Sequence, residues 1–110
     1  MWALLGNWTI REQATRLNAA KGQIAYRFHA RDLNLVMGPG ASGTSVRFHV
    51  LLDGQPPGAA HGSDLDGEGD GTVVEQRLYQ LIRQQGPVTE HTFEITFLAP
   101  DVEAYAFTFG

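Results

Sequence analysis

The chain has 110 residues, a formal net charge of −4 and no cysteine, so it suits one domain with a core of its own and excludes thiol chemistry by this chain. Its hydrophobic fraction of 43% and charged fraction of 18% are typical of a globular domain rather than a disordered one. The 8 Lys and Arg residues form no run and no apolar stretch approaches about 18 residues, which argues against nucleic-acid binding and against membrane contact by this domain.

The chain opens with a segment that we place outside the domain. Its apolar start is too short and too uncharged for a signal peptide. We expect residues 1–7 to be linker residues, or the cut end of a piece of a longer protein, and residues 8–110 to form a single β-sandwich accessory domain. Within it, residues 8–11 and 14–17 are predicted strands, joined to the next stretch by a turn over residues 18–22.

Residues 24–38 alternate apolar and polar side chains with a period of two. One face carries Ile24, Tyr26, Phe28 and Ala30, and the other carries Ala25, Arg27, His29 and Arg31. A strand turns successive side chains to opposite faces, whereas a helix needs apolar residues at i, i+3 and i+4. The pattern therefore predicts two sandwich strands with a bend near Asp32, one face apolar and the other cationic.

The remaining chain repeats this pattern of short strands and turns. Strands are predicted at residues 46–52, 72–75, 93–97 and 105–109, a loop at 38–43, a tight turn at Asp53-Gly54, a long irregular region at 55–71 and a turn at 84–87. Residues 77–82 fit a helical turn or a strand, and their short length between strands favours the strand. Seven to nine antiparallel strands with turns between them indicate an all-β sandwich or barrel.

An acidic segment matches most of a calcium-loop pattern. Oxygen-bearing side chains alternate at Asp64, Asp66, Glu68 and Asp70, while Gly69 stands at position six and Glu75 at position twelve. Glu68 departs from the Asp or Asn expected at position five, and residues 54–62 hold two prolines, so no incoming helix precedes the loop. The segment predicts either a Ca²⁺ loop outside an EF-hand or a solvated acidic hairpin loop.

The polar positions of two strands form a second candidate site. If the strands are neighbours, Arg27, His29, Arg31, Arg47 and His49 make a cationic surface that can hold a carboxylate, a phosphate or sugar hydroxyls. The alternative is a plain solvated face whose cations pair across strands with Glu94 and Glu103.

Catalytic and zinc motifs are not found in the sequence. The histidines at 29, 49, 61 and 91 lack ligand spacing, and the serines at 42, 45 and 63 lack a nucleophile motif. We therefore predict no enzyme activity and no cofactor other than the Ca²⁺ ion. Trp2, Trp8 and Tyr79 are the aromatic residues outside an alternating core row, and they serve either as stacking platforms for sugar rings or as core.

Three segments carry a family resemblance. The sequence YRFHARDLNLVMG at 26–38, LYQLIR at 78–83 and AYAFTFG at 104–110 resemble the C-terminal module of DipZ-type cytochrome c biogenesis and thioredoxin-family proteins. The likeness covers about residues 8–110. It implies a galactose-binding-type jelly roll similar to carbohydrate-binding modules, placed after a thioredoxin-like domain on the extracytoplasmic side, with the redox-active Cys-x-x-Cys upstream.

The resemblance and the polar pattern together predict a non-catalytic accessory module of a redox protein that binds carbohydrate or a cell-envelope component. The alternative is a docking module for the adjacent thioredoxin-like domain or its client. The family has no firmly assigned binding residues, so the ligand-binding residues are predicted from polarity and position alone. They are Arg27, His29, Asn34, Arg77 and Tyr79.

Overall fold

A computed structural model describes residues 2–11 and 14–110, apart from the side chain of Trp2. Strands dominate the described residues, as predicted for an all-β chain. They are β1 (Trp2–Leu5), β2 (Trp8–Ile10), β3 (Thr15–Leu17), β4 (Gln23–His29), β5 (Asp32–Gly38), β6 (Val46–Leu52), β7 (Asp70–Val73), β8 (Arg77–Arg83), β9 (Glu90–Phe97) and β10 (Glu103–Phe109), with a 3₁₀ turn at Gly58–Ala60. No helix in the described residues is long and apolar enough to cross a membrane.

The strands form two antiparallel sheets of five strands. Sheet A has the order β1-β4-β9-β6-β7, and sheet B has the order β2-β3-β10-β5-β8. Many neighbours in a sheet are distant in sequence, as in the pairs β4–β9 and β5–β10. The predicted antiparallel β-sandwich is confirmed, with ten strands in the described residues rather than the seven to nine expected.

The apolar members of the alternating strands fill one interior between the sheets. Ile24, Phe48 and Phe93 from sheet A are buried against Leu35 and Leu81 from sheet B. Burying these side chains removes apolar surface from water, which is the main driving force for the fold. The predicted shared interior is confirmed.

The central stretch changes sheets at its bend. β4 belongs to sheet A and β5 to sheet B, and the chain turns between them at Ala30 and Arg31. The buried amide of Gln84 donates from Nε2 to the Ala30 carbonyl at 2.8 Å, and the Gln84 N–H donates to the Arg31 carbonyl at 2.8 Å. These bonds satisfy the backbone where the strand ladder is interrupted.

The structure corrects one local prediction from the sequence and confirms two others. Residues 2–5, which we expected to be linker, form the edge strand β1 and pair with residues 23–26 of β4. The signal was missed because an edge strand of four residues is too short to show a period. The Asp53-Gly54 turn has positive φ at both residues, 53° and 78°, and residues 77–83 are extended, so both predictions are confirmed.

Candidate functional site

The described surface holds a cleft beside the open end of β4. Tyr26, Arg27, Phe28 and His29 line it from β4 and Phe109 from β10, and its volume is about 300 Å³. β1 pairs only with residues 23–26, so no described strand covers the edge of β4 at residues 27–29. Within the described residues, the cleft lies beside the part of β4 that β1 does not pair with.

Aromatic rings form the floor of the cleft. The ring centroid of Tyr26 lies 5.0 Å from Phe107 and 5.3 Å from Phe109. Phe109 is also nearly parallel to Phe28, at 6.1 Å and 24°. Phe28 is 4% exposed, whereas Phe109 is 41% exposed. Phe109 thus packs against Tyr26, Phe28 and Phe107 and still keeps part of its surface open to solvent, which suits contact with an apolar ring face.

The rim of the cleft is polar. Arg27 Nε lies 3.0 Å from Glu90 Oε1, and Arg27 Nη1 donates to Thr92 Oγ1 at 3.3 Å. Both partners of the ion pair are at least half exposed, so it contributes little to stability and its groups remain accessible. His29 is exposed and stands opposite Glu90 in the strand register. The rim can therefore donate and accept hydrogen bonds beside an aromatic floor.

A hydrogen-bonded chain supports one wall of the cleft. The ring of His91 lies 6.3 Å from that of Phe28, and its Nδ1 contacts Asp53 Oδ2 while its Nε2 lies 2.8 Å from Thr89 Oγ1. The Thr92 N–H donates to Asp53 Oδ1 at 2.8 Å. The Thr92 N–H and His91 hold the pKa of Asp53 below its ordinary value because they stabilise the carboxylate. This chain fixes the β6 turn against β9.

Arg47 and His49 lie on the same outer face as Arg27 and His29 but do not adjoin them. β9 separates β6 from β4, so the condition of neighbouring strands is not met. His49 Nδ1 contacts Asp70 Oδ1 at 2.8 Å. Glu90 and Asp70 thus pair with Arg27 and His49, in place of the expected residues at 94 and 103. Arg31 lies in the bend between β4 and β5 and pairs with Asp32 at 2.8 Å.

The other predicted ligand-binding residues lie elsewhere. Asn34 is on the outer face of sheet B and donates from Nδ2 to Thr108 Oγ1 at 3.3 Å. Arg77 lies 3.9 Å above the ring of Tyr79. Tyr79 is fully buried, and its hydroxyl donates to the Glu75 carbonyl at 2.6 Å. The prediction of Tyr79 as a surface ligand is corrected: its ring belongs to the core, and only Arg27 and His29 reach the cleft.

The first carboxylate of the acidic segment is already engaged. Asp64 accepts from Arg77 Nη2 at 2.7 Å and from the Gln80 N–H at 2.7 Å. Burial would raise the pKa of Asp64, but the bonds from Arg77 and the Gln80 N–H outweigh it and hold that pKa below its ordinary value. Asp64 therefore fastens the loop to β8.

The later carboxylates of the segment do not converge. Asp66 Oδ1 accepts the N–H groups of Glu68 and Asp70, each at 3.0 Å, while Asp70 contacts His49. Glu75 lies outside this turn, in the connection between β7 and β8. Within the described residues no three metal-binding side chains are grouped. The geometry lends no support to the Ca²⁺ loop, which stays a prediction; a bound ion would raise the melting temperature in calcium relative to chelator.

The sequence reading missed the aromatic floor. Tyr26, Phe28, Phe107 and Phe109 all stand in alternating rows and were assigned to the core. For Phe28 this is correct, but Phe109 is 41% exposed. No local signal separates the two rings, because alternation assigns both to the same kind of position.

Two five-stranded antiparallel sheets with an aromatic cleft at one strand end define a β-sandwich module. The sequence profile of the thioredoxin-like C-terminal domain family matches residues 1–110. The chain belongs to that family, which confirms the resemblance to a C-terminal module of thioredoxin-family proteins. Comparison with curated proteins gives no sequence match.

Solved structures share the fold. An active-site mutant of a family two carbohydrate esterase from Clostridium thermocellum is 12% identical, with a TM-score of 0.75 over 100% of this chain and 31% of that one. The esterase from the same organism in complex with cellohexaose is 13% identical, with a TM-score of 0.72 over 98% and 31%. The family two esterase from Cellvibrio japonicus is 13% identical, with a TM-score of 0.73 over 98% and 30%. The chain thus spans about a third of each esterase, and at these identities the likeness shows the fold alone.

Proposed function

We propose that the chain is a non-catalytic accessory module of an extracytoplasmic redox protein of the DipZ-type cytochrome c biogenesis class, and that it binds a cell-envelope carbohydrate in its cleft. The family match supports a module that accompanies a thioredoxin-like domain. The esterase crystallised with cellohexaose shares the fold, which makes a saccharide the first ligand to test. No Ca²⁺ or other cofactor takes part in the proposed binding.

The observation that carries this proposal is the half-open ring of Phe109 beside a polar rim. A sugar ring has an apolar face of C–H groups and an edge of hydroxyls. Phe109 can pack against the face because Tyr26, Phe28 and Phe107 hold its ring in place while part of the ring stays exposed. Arg27 and His29 stand where they can reach the hydroxyls. Since Phe109 is already packed, binding orders few side chains and loses little entropy.

Isothermal titration with cellohexaose, and with sugars that score on an envelope glycan array, tests the proposal. A cleft this small and open predicts a dissociation constant of about 1 mM. Replacing Phe109→Ala should weaken binding about tenfold, which corresponds to about 1.4 kcal/mol. Leu98→Ala is the matched control, because Leu98 is 46% exposed and lies away from the cleft. Flat titrations across the array, or equal losses in the two variants, would contradict the proposal.

The polar rim is tested separately. Arg27→Ala should weaken binding several-fold, because it removes donors from the rim. Arg47→Ala removes the same charge from an exposed position on the same face of sheet A, two strands away, and should leave binding unchanged. A matching loss in both variants would point to long-range attraction rather than contact.

A second candidate function is docking onto the thioredoxin-like domain of the same protein. Val36 of β5 pairs with Leu78 of β8 on one side and Ala106 of β10 on the other, so their side chains form an apolar row on the outer face of sheet B. Leu78 and Ala106 are exposed. In the two-domain protein, Leu78→Asp should free the domains to reorient, measured by NMR relaxation. Unchanged tumbling would argue against docking at this face, and saccharide binding would be unaffected in either case.

A further inference from the structure

We infer that the cleft recognises the end of a saccharide chain, one or two rings, rather than the interior of a polysaccharide. This inference rests on the proposed function and specifies its ligand class. It is drawn from the size of the cleft, from the single exposed aromatic ring among the described side chains of its floor, and from the polar side chains on the outer face of sheet A.

The size of the cleft limits what it can enclose. Its volume of about 300 Å³ is at the lower end of the range of about 300–1,000 Å³ for small-molecule pockets. Four of the five lining residues are consecutive on β4, and the fifth, Phe109, stands across from them. The cleft is thus short along any ligand axis, and rings beyond the first two would extend into solvent.

The aromatic floor offers one platform. A binding surface for an extended polymer needs stacking rings that succeed one another along the chain, as in proteins that bind single strands of nucleic acid. Among the side chains that the structure describes, Phe109 is the one exposed aromatic ring. Trp8 packs edge-on against Phe97 at 6.0 Å, and Tyr26 and Phe107 are partly covered. One sugar ring can therefore stack fully on Phe109, and a second sugar ring finds only polar contacts.

The outer face of sheet A does not continue the site. Next to Arg27 in the strand register stands Thr92, and the outward positions that follow along β9 are Glu94 and Thr96. These side chains are short or charged and provide no flat apolar surface. The geometry favours a ligand that ends at the cleft.

The test is a titration with glucose, cellobiose, cellotetraose and cellohexaose, together with soluble cellulose polymer at equal mass. Affinity should rise from one ring to two and then stay within about twofold up to six. The polymer should compete poorly, because it carries few chain ends per unit mass. Amide chemical shifts at residues 26–29 and 109 should move alike with cellobiose and with cellohexaose.

Failure of this inference differs from failure of the proposed function. Affinity that climbs steadily from two to six rings, or strong competition by the polymer, would overturn the chain-end inference and leave carbohydrate binding intact. Flat titrations at every length would overturn both for this class of sugar. Phe109→Ala should weaken all lengths by the same factor; a loss confined to the longer ligands would also contradict a single-platform cleft.

Discussion

Replacing Tyr79→Phe should destabilise the fold far more than the loss of one oxygen atom suggests. The hydroxyl of Tyr79 donates to the Glu75 carbonyl at 2.6 Å and accepts the N–H groups of Val74 at 3.0 Å and Glu75 at 3.2 Å. It therefore uses its full capacity of one donor and two acceptor sites. These bonds hold the connection from β7 in sheet A to β8 in sheet B.

The size of the destabilisation follows from the backbone groups that lose their hydrogen-bond partner. Removing the hydroxyl leaves two N–H groups and one carbonyl without their partner, and an unsatisfied buried group costs about 1–3 kcal/mol. Val74 and Glu75 are themselves exposed, so water can reach part of this cluster, and we expect a total of about 2 kcal/mol. Unfolding entropy of about 2.1 cal/mol/K per residue over 110 residues converts this into about 9 °C of melting temperature.

Calorimetry of Tyr79→Phe beside Tyr105→Phe provides the comparison. The hydroxyl of Tyr105 has one partner, Gln76 Oε1 at 3.1 Å, on the surface. Its loss should lower the melting temperature by no more than about 2 °C. Comparable shifts of the melting temperature in the two variants would refute the reasoning that the Tyr79 hydroxyl holds the connection between β7 and β8. The ring of Tyr79 and its contact with Arg77 remain in the variant, so the difference in melting temperature does not come from lost packing.

Three further predictions concern stability. The pKa of Asp64 is lower in the folded state than in the unfolded state. The ionised carboxylate therefore stabilises the fold above the unfolded pKa of about 4, and this stabilisation is lost as the pH falls through the folded pKa. Asp64→Asn should therefore cost about 1–2 kcal/mol in urea titrations at pH 7 and progressively less as the pH falls below about 4, and a constant gap would be inconsistent with this. Gly69→Ala should lower the free energy of unfolding by more than about 2 kcal/mol, because Gly69 has φ 95° and the new Cβ would meet the Val50 carbonyl. Gly86→Ala, at φ 82° in open space, should lower it by about 1 kcal/mol. Equal losses would rule out the close approach of the backbone at Gly69 to Val50. Deleting residues 1–5 should lower the melting temperature and increase light scattering because it exposes the edge of β4, and an unchanged melt would mean that β1 adds no stability.

Much of the fold could be predicted from local patterns in the sequence. The alternation through residues 24–38 predicted two strands and their bend, and Asp53-Gly54 predicted a turn with positive φ. These features depend on the side-chain period of a strand and on the conformational preferences of single residues. Local chemistry is present in the sequence itself, so it could be predicted without knowing any neighbour.

The candidate site depended on contacts that no local pattern contains. Arg27 and His29 were predicted as polar ligand-binding residues, yet their cleft also needs Phe109, which belongs to β10 in the other sheet. Tyr79 looked free in sequence and is buried. Alternation shows that a side chain faces one of two sides of a strand, but which strands become neighbours is decided by pairing between distant segments. The sequence by itself thus determined the strands, and only the tertiary structure decided which aromatic rings remain open to solvent.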